Sequence, residues 1–423
     1  MFTTALENTS FRWKARYSVL AVLFGTWIVC FMDRMVLSTA IPYIADDFHL
    51  SPIEMGMAMS AFFFSYALSQ IPGGILGDKF GITRVMSVAI LWWSAFTALT
   101  GAVANLTQMI ICRILFGLGE GIFPACSFKT ISTWFPTKER ATANGVMLAS
   151  NSLGQGVGPL FVVAIMAAWG WRAVFYSLFI PGMLAVLATW TIVKNRPSES
   201  KRVTAGELAE IESHEPVMGT AKPRISDVFK LKSVWLCFVI LLTFNITQWG
   251  FAAWLPTYLV KARGFTMIKM GIAASLPFFA GTIGCILGGW LSDKYCQYNR
   301  KIPIICAQLL IALCLYVMFT SNDLTTVILC QTLAGGLIFF VIGAFWALPM
   351  NSIPKEVMGT AAGVINMAGQ LAAFLSPLAV GFLVEQAKGS FNAAFYFLIG
   401  GCLVSALIAL NVKEKKRTAV AMA

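Results

Sequence analysis

The feature that most constrains this chain is a succession of apolar runs, each long enough to cross a membrane, separated by short polar breaks. A hydrocarbon core of about 30 Å takes roughly 20 residues of helix. Twelve runs of that kind are placed at 17–43, 52–77, 83–104, 107–130, 141–168, 172–193, 233–259, 268–292, 302–320, 324–349, 358–386 and 391–411. Lipid offers the backbone no hydrogen-bond partners, so such runs must satisfy their own amides as helices. The expectation is an all-α integral membrane protein. With 58% hydrophobic and 12% charged residues and a mean hydropathy of +0.76, the composition excludes a soluble enzyme, and 33 Phe with 13 Trp exclude disorder.

A formal charge of +12 raises the question of nucleic acid, but the Lys and Arg residues lie between the apolar runs rather than on one folded face. No nucleic-acid partner is expected. Most of the basic residues, among them Lys14, Arg16, Lys79, Lys138, Lys294 and Arg300, fall on one side of the twelve-run topology. The positive-inside rule then makes that side, with both termini, cytoplasmic. The polar, basic start of the chain reads as a mature tail rather than a cleaved signal.

The ten cysteines lie mostly inside apolar runs, as small buried hydrophobes. Two histidines, His49 and His214, give a metal site almost no ligands. No nucleophile–base pair and no sizeable domain outside the membrane argue for a membrane enzyme. The one long polar segment, 194–232, holds Pro197, Pro216 and Pro223 and a Thr204-x-x-Glu207 pattern resembling a capping box. It separates an N-terminal bundle, 1–193, from a C-terminal one, 233–423.

Those halves repeat one another. Gly73-Gly74-Ile75-Leu76-Gly77-Asp78-Lys79-Phe80 after span two matches Gly288-Gly289-Trp290-Leu291-Ser292-Asp293-Lys294-Tyr295 after span eight, an offset of 215 residues. Gly145-Val146 to Pro159 in span five matches Gly363-Val364 to Pro377 in span eleven at an offset of 218. Ala173 to Tyr176 echoes Ala393 to Tyr396. Parallel repeats about an axis along the membrane normal are a known transporter architecture.

Twelve spans, two parallel halves and Gly-x-Leu-Gly-Asp-Lys-x-Gly at Gly74 to Gly81 resemble the major facilitator superfamily. Asp33-Arg34 in span one, the run from Arg113 through Glu120 to Pro124, and Trp134-Phe135-Pro136-Thr137-Lys138-Glu139-Arg140 are similar to its anion:cation symporter family. That resemblance implies import of a small organic anion, a carboxylate such as a sugar acid or aromatic acid. It implies alternating access coupled to protons with no other cofactor, in a bacterial cytoplasmic membrane and as a monomer. Proton-antiport efflux of drugs or metabolites is the alternative. The resemblance places Asp33, Arg34, Arg113 and Glu120 at or near the site, together with Tyr66, Asn151, Trp346 and Asn366. It gives Asp78, Arg84, Arg140 and Asp293 a gating role. Phe31 stands where several sugar-acid permeases carry a tyrosine.

The residues support a site independently. Asp33 and Glu120 are the acidic groups well inside spans, and an ionisable group in hydrocarbon is expensive enough to indicate function. Arg113 and Glu120 are seven residues apart, about 10 Å along one helix face, so they do not pair with each other. Asp33 and Arg34 are adjacent and turned about 100° apart. We therefore expect Asp33 to pair with Arg113, leaving Arg34 to grip a substrate carboxylate with its planar fork. Burial disfavours a charged carboxyl while a guanidinium favours it, a balance that substrate can tip at Glu120 or Asp33. Tyr66 and Gln70, four residues apart on span two, form a polar face. Lys129 is expected to snorkel.

Overall fold

The computed structural model describes residues 13–212, 228–296, 299–354 and 357–412, which are helical with no strand among them. Spans one to three are Ala15–Phe48, Pro52–Phe80 and Ile82–Thr100. Span four is broken into Leu106–Glu120 and Phe123–Trp134. Spans five and six run through Thr137–Ser177 and Phe179–Ile192, divided at Gly170, whose φ of 77° and ψ of 172° leave the helical region. The second half comprises Lys232–Thr257 continued by a π turn, Met267–Tyr295, Lys301–Thr320, Leu324–Phe345 with Ala347–Ser352, Met358–Gln386 and Asn392–Leu410. Ten of the described stretches are long and apolar enough to cross a membrane by themselves. Dividing the merged fifth and sixth spans and adding the more polar Pro52–Phe80 gives twelve.

The break in span four, which the sequence suggested would be one run, has a local cause. Pro124 has no N–H to offer the carbonyl of Glu120, and the Ile122 N–H bonds to the Gly119 carbonyl three residues back, at 3.3 Å. Gly117 and Gly121 let span four lie directly against span two, since a Cβ at either would overlap Ser65 Oγ or Ser69 Oγ. Gly154 and Gly158 do the same for spans five and one, with a Cβ meeting Phe31 and Met35 at 2.8 Å. These small residues set helix spacing.

Between spans six and seven, helix Ala205–Glu212 docks against the start of span one. Thr204 caps it by accepting from the Glu207 N–H at 3.3 Å. The Glu207 carboxylate does not complete the capping box; it accepts instead from the backbone N–H groups of Ala15 and Arg16, at 3.1 and 3.0 Å. A helix N-terminus favours such an anion. The Arg16 side chain is fully buried between Glu210 (3.1 Å) and Glu139 (3.0 Å), and Lys14 and Lys138 add to Glu210.

The halves touch mainly away from the linker, and the repeat supplies the seal twice. At the start of span two, a Cβ on Gly56 would come within 2.7 Å of the Pro377 carbonyl oxygen in span eleven. Its repeat counterpart Gly271, in span eight, packs on Val163 and the Pro159 carbonyl of span five. Asp46 pairs with Lys261, and Glu385 accepts from the Ile53 N–H at 3.0 Å. On the linker side Gly145 and Gly363, also repeat-related, meet nothing within 4 Å. Among the described residues these inter-half contacts cluster on the face away from the linker.

Replacing Gly56 with Val is expected to pry that face apart. A membrane-impermeant thiol reagent should label a cysteine at Ser51 several-fold faster in that variant; unchanged labelling would show that the contact is not a seal. Arg16 and Lys14 hold the Glu210 carboxyl down at about 2 from an ordinary 4.5. A depressed carboxyl stabilises above its free value and loses that contribution as pH falls through the folded one. Docking of the linker helix should therefore survive at neutral pH and weaken progressively from about pH 4.5 to 2, read by amide exchange over 205–212. Glu210→Gln should show the weakening at pH 7.

Candidate functional site

The centre of the N-terminal half holds four buried charges. Arg34 approaches Glu120, with Nε donating to Oε1 at 2.6 Å and Nη2 at the same distance from that oxygen. The Arg34 side chain is 6% exposed and that of Glu120 1%, a degree of burial that makes each the other's necessary counterion. Three rings enclose the guanidinium, Phe31 and Tyr66 at 4.6 Å and Phe62 at 5.2 Å. Phe31 precedes Arg34 by three residues, and Phe62 and Tyr66 are four apart on span two, so helical spacing alone aims these rings at one point. The second oxygen of Glu120 is buried and has no hydrogen-bond partner.

Asp33 and Arg113 are arranged differently from the expectation. Among the described residues no ion pair joins them, although they lie within electrostatic reach of each other. The Arg113 guanidinium donates to Thr100 Oγ1 of span three at 3.1 Å and sits over the rings of Phe116 (4.5 Å) and Phe175 (5.7 Å), which engages it away from Asp33. Asp33 faces Trp93 and Thr97 of span three, with Oδ1 buried and unpartnered. Arg34, expected to be left for a substrate, is the one that is paired.

Both arginines reach a small cavity lined also by Ser38, Met59, Phe63 and Trp249. Phe63 and Trp249 meet edge to face at 4.8 Å across the two halves in its lining. Ser38, Met59 and Phe63 were not singled out from the sequence.

The remaining expected residues are more dispersed. Tyr66 belongs to the site through its ring. Asn151 is half-buried with Oδ1 unpartnered, Gln70 and Trp346 are half-buried, and Asn366 is exposed. No hydrogen bond among the described residues ties these four to the Arg34–Glu120 pair. Gly363, Asn366 and Gln370 share a face of span eleven by their spacing. Of the expected gating residues, Asp78 pairs with Lys129, so that lysine does not snorkel freely. Arg140 donates to the Phe135 carbonyl at 2.9 Å, and Arg84 lines an outer groove. The side chain of Asp293 lies outside the described residues. Arg16, fully buried on the linker side, was not expected to be a hub.

Two six-span halves related by a repeat, a buried charged pair on a cavity between them and a seal on one face define a membrane transporter. Residues 22–377 match the model of the Major Facilitator Superfamily, and the chain belongs to that family. It is 32% identical to the "Probable galactarate/D-glucarate transporter GarP" of Escherichia coli K12, with 93% of each chain covered. It is 32% identical to the "Probable sulfoacetate transporter SauU" of Cupriavidus necator, over 95% of this chain and 94% of the relative. In fold it is similar to a bacterial homologue of the human lysosomal transporter Spinster, at a TM-score of 0.76 and 19% identity, covering 94% of this chain and 95% of that one. The E. coli xylose transporter XylE gives a TM-score of 0.75 at 15% identity, covering 95% and 98%.

Removing one member of a buried pair costs about 3–5 kcal/mol because the other is stranded, whereas replacing both with apolar residues is far milder. Arg34→Leu and Glu120→Leu should each lower thermal stability in detergent, and the double variant should recover most of the loss. The same cycle at Asp33 and Arg113 should show a much smaller coupling. Equal couplings would contradict the pairing.

Proposed function

We propose that the protein is a proton-coupled symporter that imports a small organic anion by alternating access, with the linker side cytoplasmic. The observation that carries this reading is the sharing of Arg34: the guanidinium that suits a substrate carboxylate is occupied by Glu120. A proton on the free Oε2 neutralises Glu120 and weakens its hold, so the arginine fork turns to the incoming anion. Loss of that proton on the cytoplasmic side restores the carboxylate, which competes for the same fork and expels the anion. Proton and anion then bind together and leave together. Arg113 adds positive potential at the same cavity, and Asp33, with its own unpartnered oxygen, is the second proton carrier.

The relatives bear on the substrate class, since those above are named as probable transporters of galactarate or D-glucarate and of sulfoacetate, and a Bacillus subtilis relative at 29% identity is named a hexuronate transporter. All of these are small anions. We read the protein as an inner-membrane monomer with both termini cytoplasmic, using protons and no other cofactor.

Proteoliposomes with an inside-alkaline gradient test the reading with a panel of sugar acids, sulfonates, aromatic carboxylates and short dicarboxylates. Gradient-driven accumulation of one acid class is expected in the wild type. Glu120→Gln should keep exchange of that acid and lose accumulation. No anion uptake, with cationic compounds exchanged against protons instead, would make the protein an antiporter.

A monovalent anion entering a negative interior is opposed by about 2.3 kcal/mol per 100 mV, which one proton only cancels. With two carriers the cycle is net positive. Uptake of a monovalent acid should therefore accelerate under an imposed inside-negative potential, and indifference to the potential would limit coupling to one proton.

A further inference from the structure

We propose that an outer groove between spans two, three and four binds an anionic glycerophospholipid, one acyl chain lying along the groove and the phosphate resting on Arg84. The groove has a volume of about 430 Å³ and is lined by Leu76, Val85, Val88, Trp92, Leu118 and Gly119, with Arg84 its one charged residue. Val88 and Trp92 are exposed in the isolated protein and face lipid in a bilayer.

Three observations make this a lipid site rather than ordinary membrane-facing surface. The depression is built in, because Gly119 has no Cβ and a Cβ there would overlap the Trp92 ring. Trp92 is fixed as its floor by donating from Nε1 to the Leu115 carbonyl at 2.8 Å. From Arg84 to Trp92 is eight residues of helix, about 12 Å, close to the depth of one leaflet's hydrocarbon, half of about 30 Å. Arg84 stands at the linker-side mouth, where its neighbour Thr83 is tied to Asn195 and to the Val193 carbonyl at the end of span six.

The headgroup is chosen by charge. Arg84 is exposed and makes no hydrogen bond or ion pair among the described residues, and Asp78, the nearby acid of the same loop, is taken by Lys129. A guanidinium with no protein partner at the hydrocarbon boundary is matched by a phosphodiester, which accepts from its fork in a bidentate fashion. The floor residue Gly119 immediately precedes Glu120, so an occupied groove braces the outer side of the helix that carries the buried pair.

Native mass spectrometry of the full chain, offered phosphatidylglycerol or phosphatidylcholine with identical acyl chains, tests the site without reference to transport. Phosphatidylglycerol should be retained about fivefold over phosphatidylcholine, the ratio that one basic residue at a membrane surface supports. Arg84→Gln should erase the preference and Arg84→Lys should keep most of it. Val88→Trp, which fills the groove, should reduce retention of both lipids, while glycerol 3-phosphate without chains should not compete. Equal retention of both lipids by the wild type, or a preference that survives Arg84→Gln, would overturn the headgroup assignment. Retention unchanged by Val88→Trp would overturn the groove, and competition by glycerol 3-phosphate would leave a simple phosphate site.

Discussion

A guanidinium and a carboxylate held 2.6 Å apart inside a membrane protein can separate only if something replaces each partner. In water the solvent does so at little cost. Here Arg34 is walled by three rings and Glu120 is almost wholly buried, so the replacements available are an anion for the arginine and a proton for the glutamate. The constraint ties two ligands of opposite sign to one pair of side chains. On the proposed coupling, the second Glu120 oxygen, which has no hydrogen-bond partner among the described residues, is where the proton would sit.

The rest of the architecture serves access to that pair. Because the halves are repeats, a close contact evolved once appears twice, as Gly56 against Pro377 and Gly271 against Pro159 and Val163, symmetrically about the cavity. Glycine makes each contact tight, Gly56 against the Pro377 backbone and Gly271 against the Val163 side chain. The linker helix acts within one half. Its carboxylates hold the start of span one and its neighbour, which stiffens the N-terminal bundle as a body that can rock against the other.

Much of this was legible in the sequence for physical reasons. Span length follows from bilayer thickness, and the repeat follows from motifs at constant offset. The rarity of intramembrane charge singled out Asp33, Arg34, Arg113 and Glu120 without any structure. What the sequence did not yield was partner choice. Asp33 and Arg34 differ by one residue, a rotation of about 100°, and small differences in helix rotation decide which of them meets span four. The local competition at Arg113 was equally hidden, since Thr100 and Phe175, which join Phe116 at its fork, come from positions no periodicity connects. Asp78 with Lys129 and Arg16 with Glu139 and Glu210 were missed because they depend on how separate helices meet, which no spacing along the chain reveals. Phe31, noted only as a departure from sugar-acid permeases, proves to be one wall of the arginine's box.

The anion and the Glu120 carboxylate compete for one guanidinium, so that anion binding draws in a proton, and proton uptake on binding measures this most directly. Purified protein in weakly buffered detergent solution is mixed with the transported acid near neutral pH, and the released or absorbed protons are followed with a pH indicator. With Glu120 and Asp33 as carriers, sharing of Arg34 predicts uptake of up to two protons per bound anion by the wild type, and about one fewer by Glu120→Gln that still binds. Anion binding with no change in bound protons in the wild type, or the same uptake in Glu120→Gln, would contradict the account.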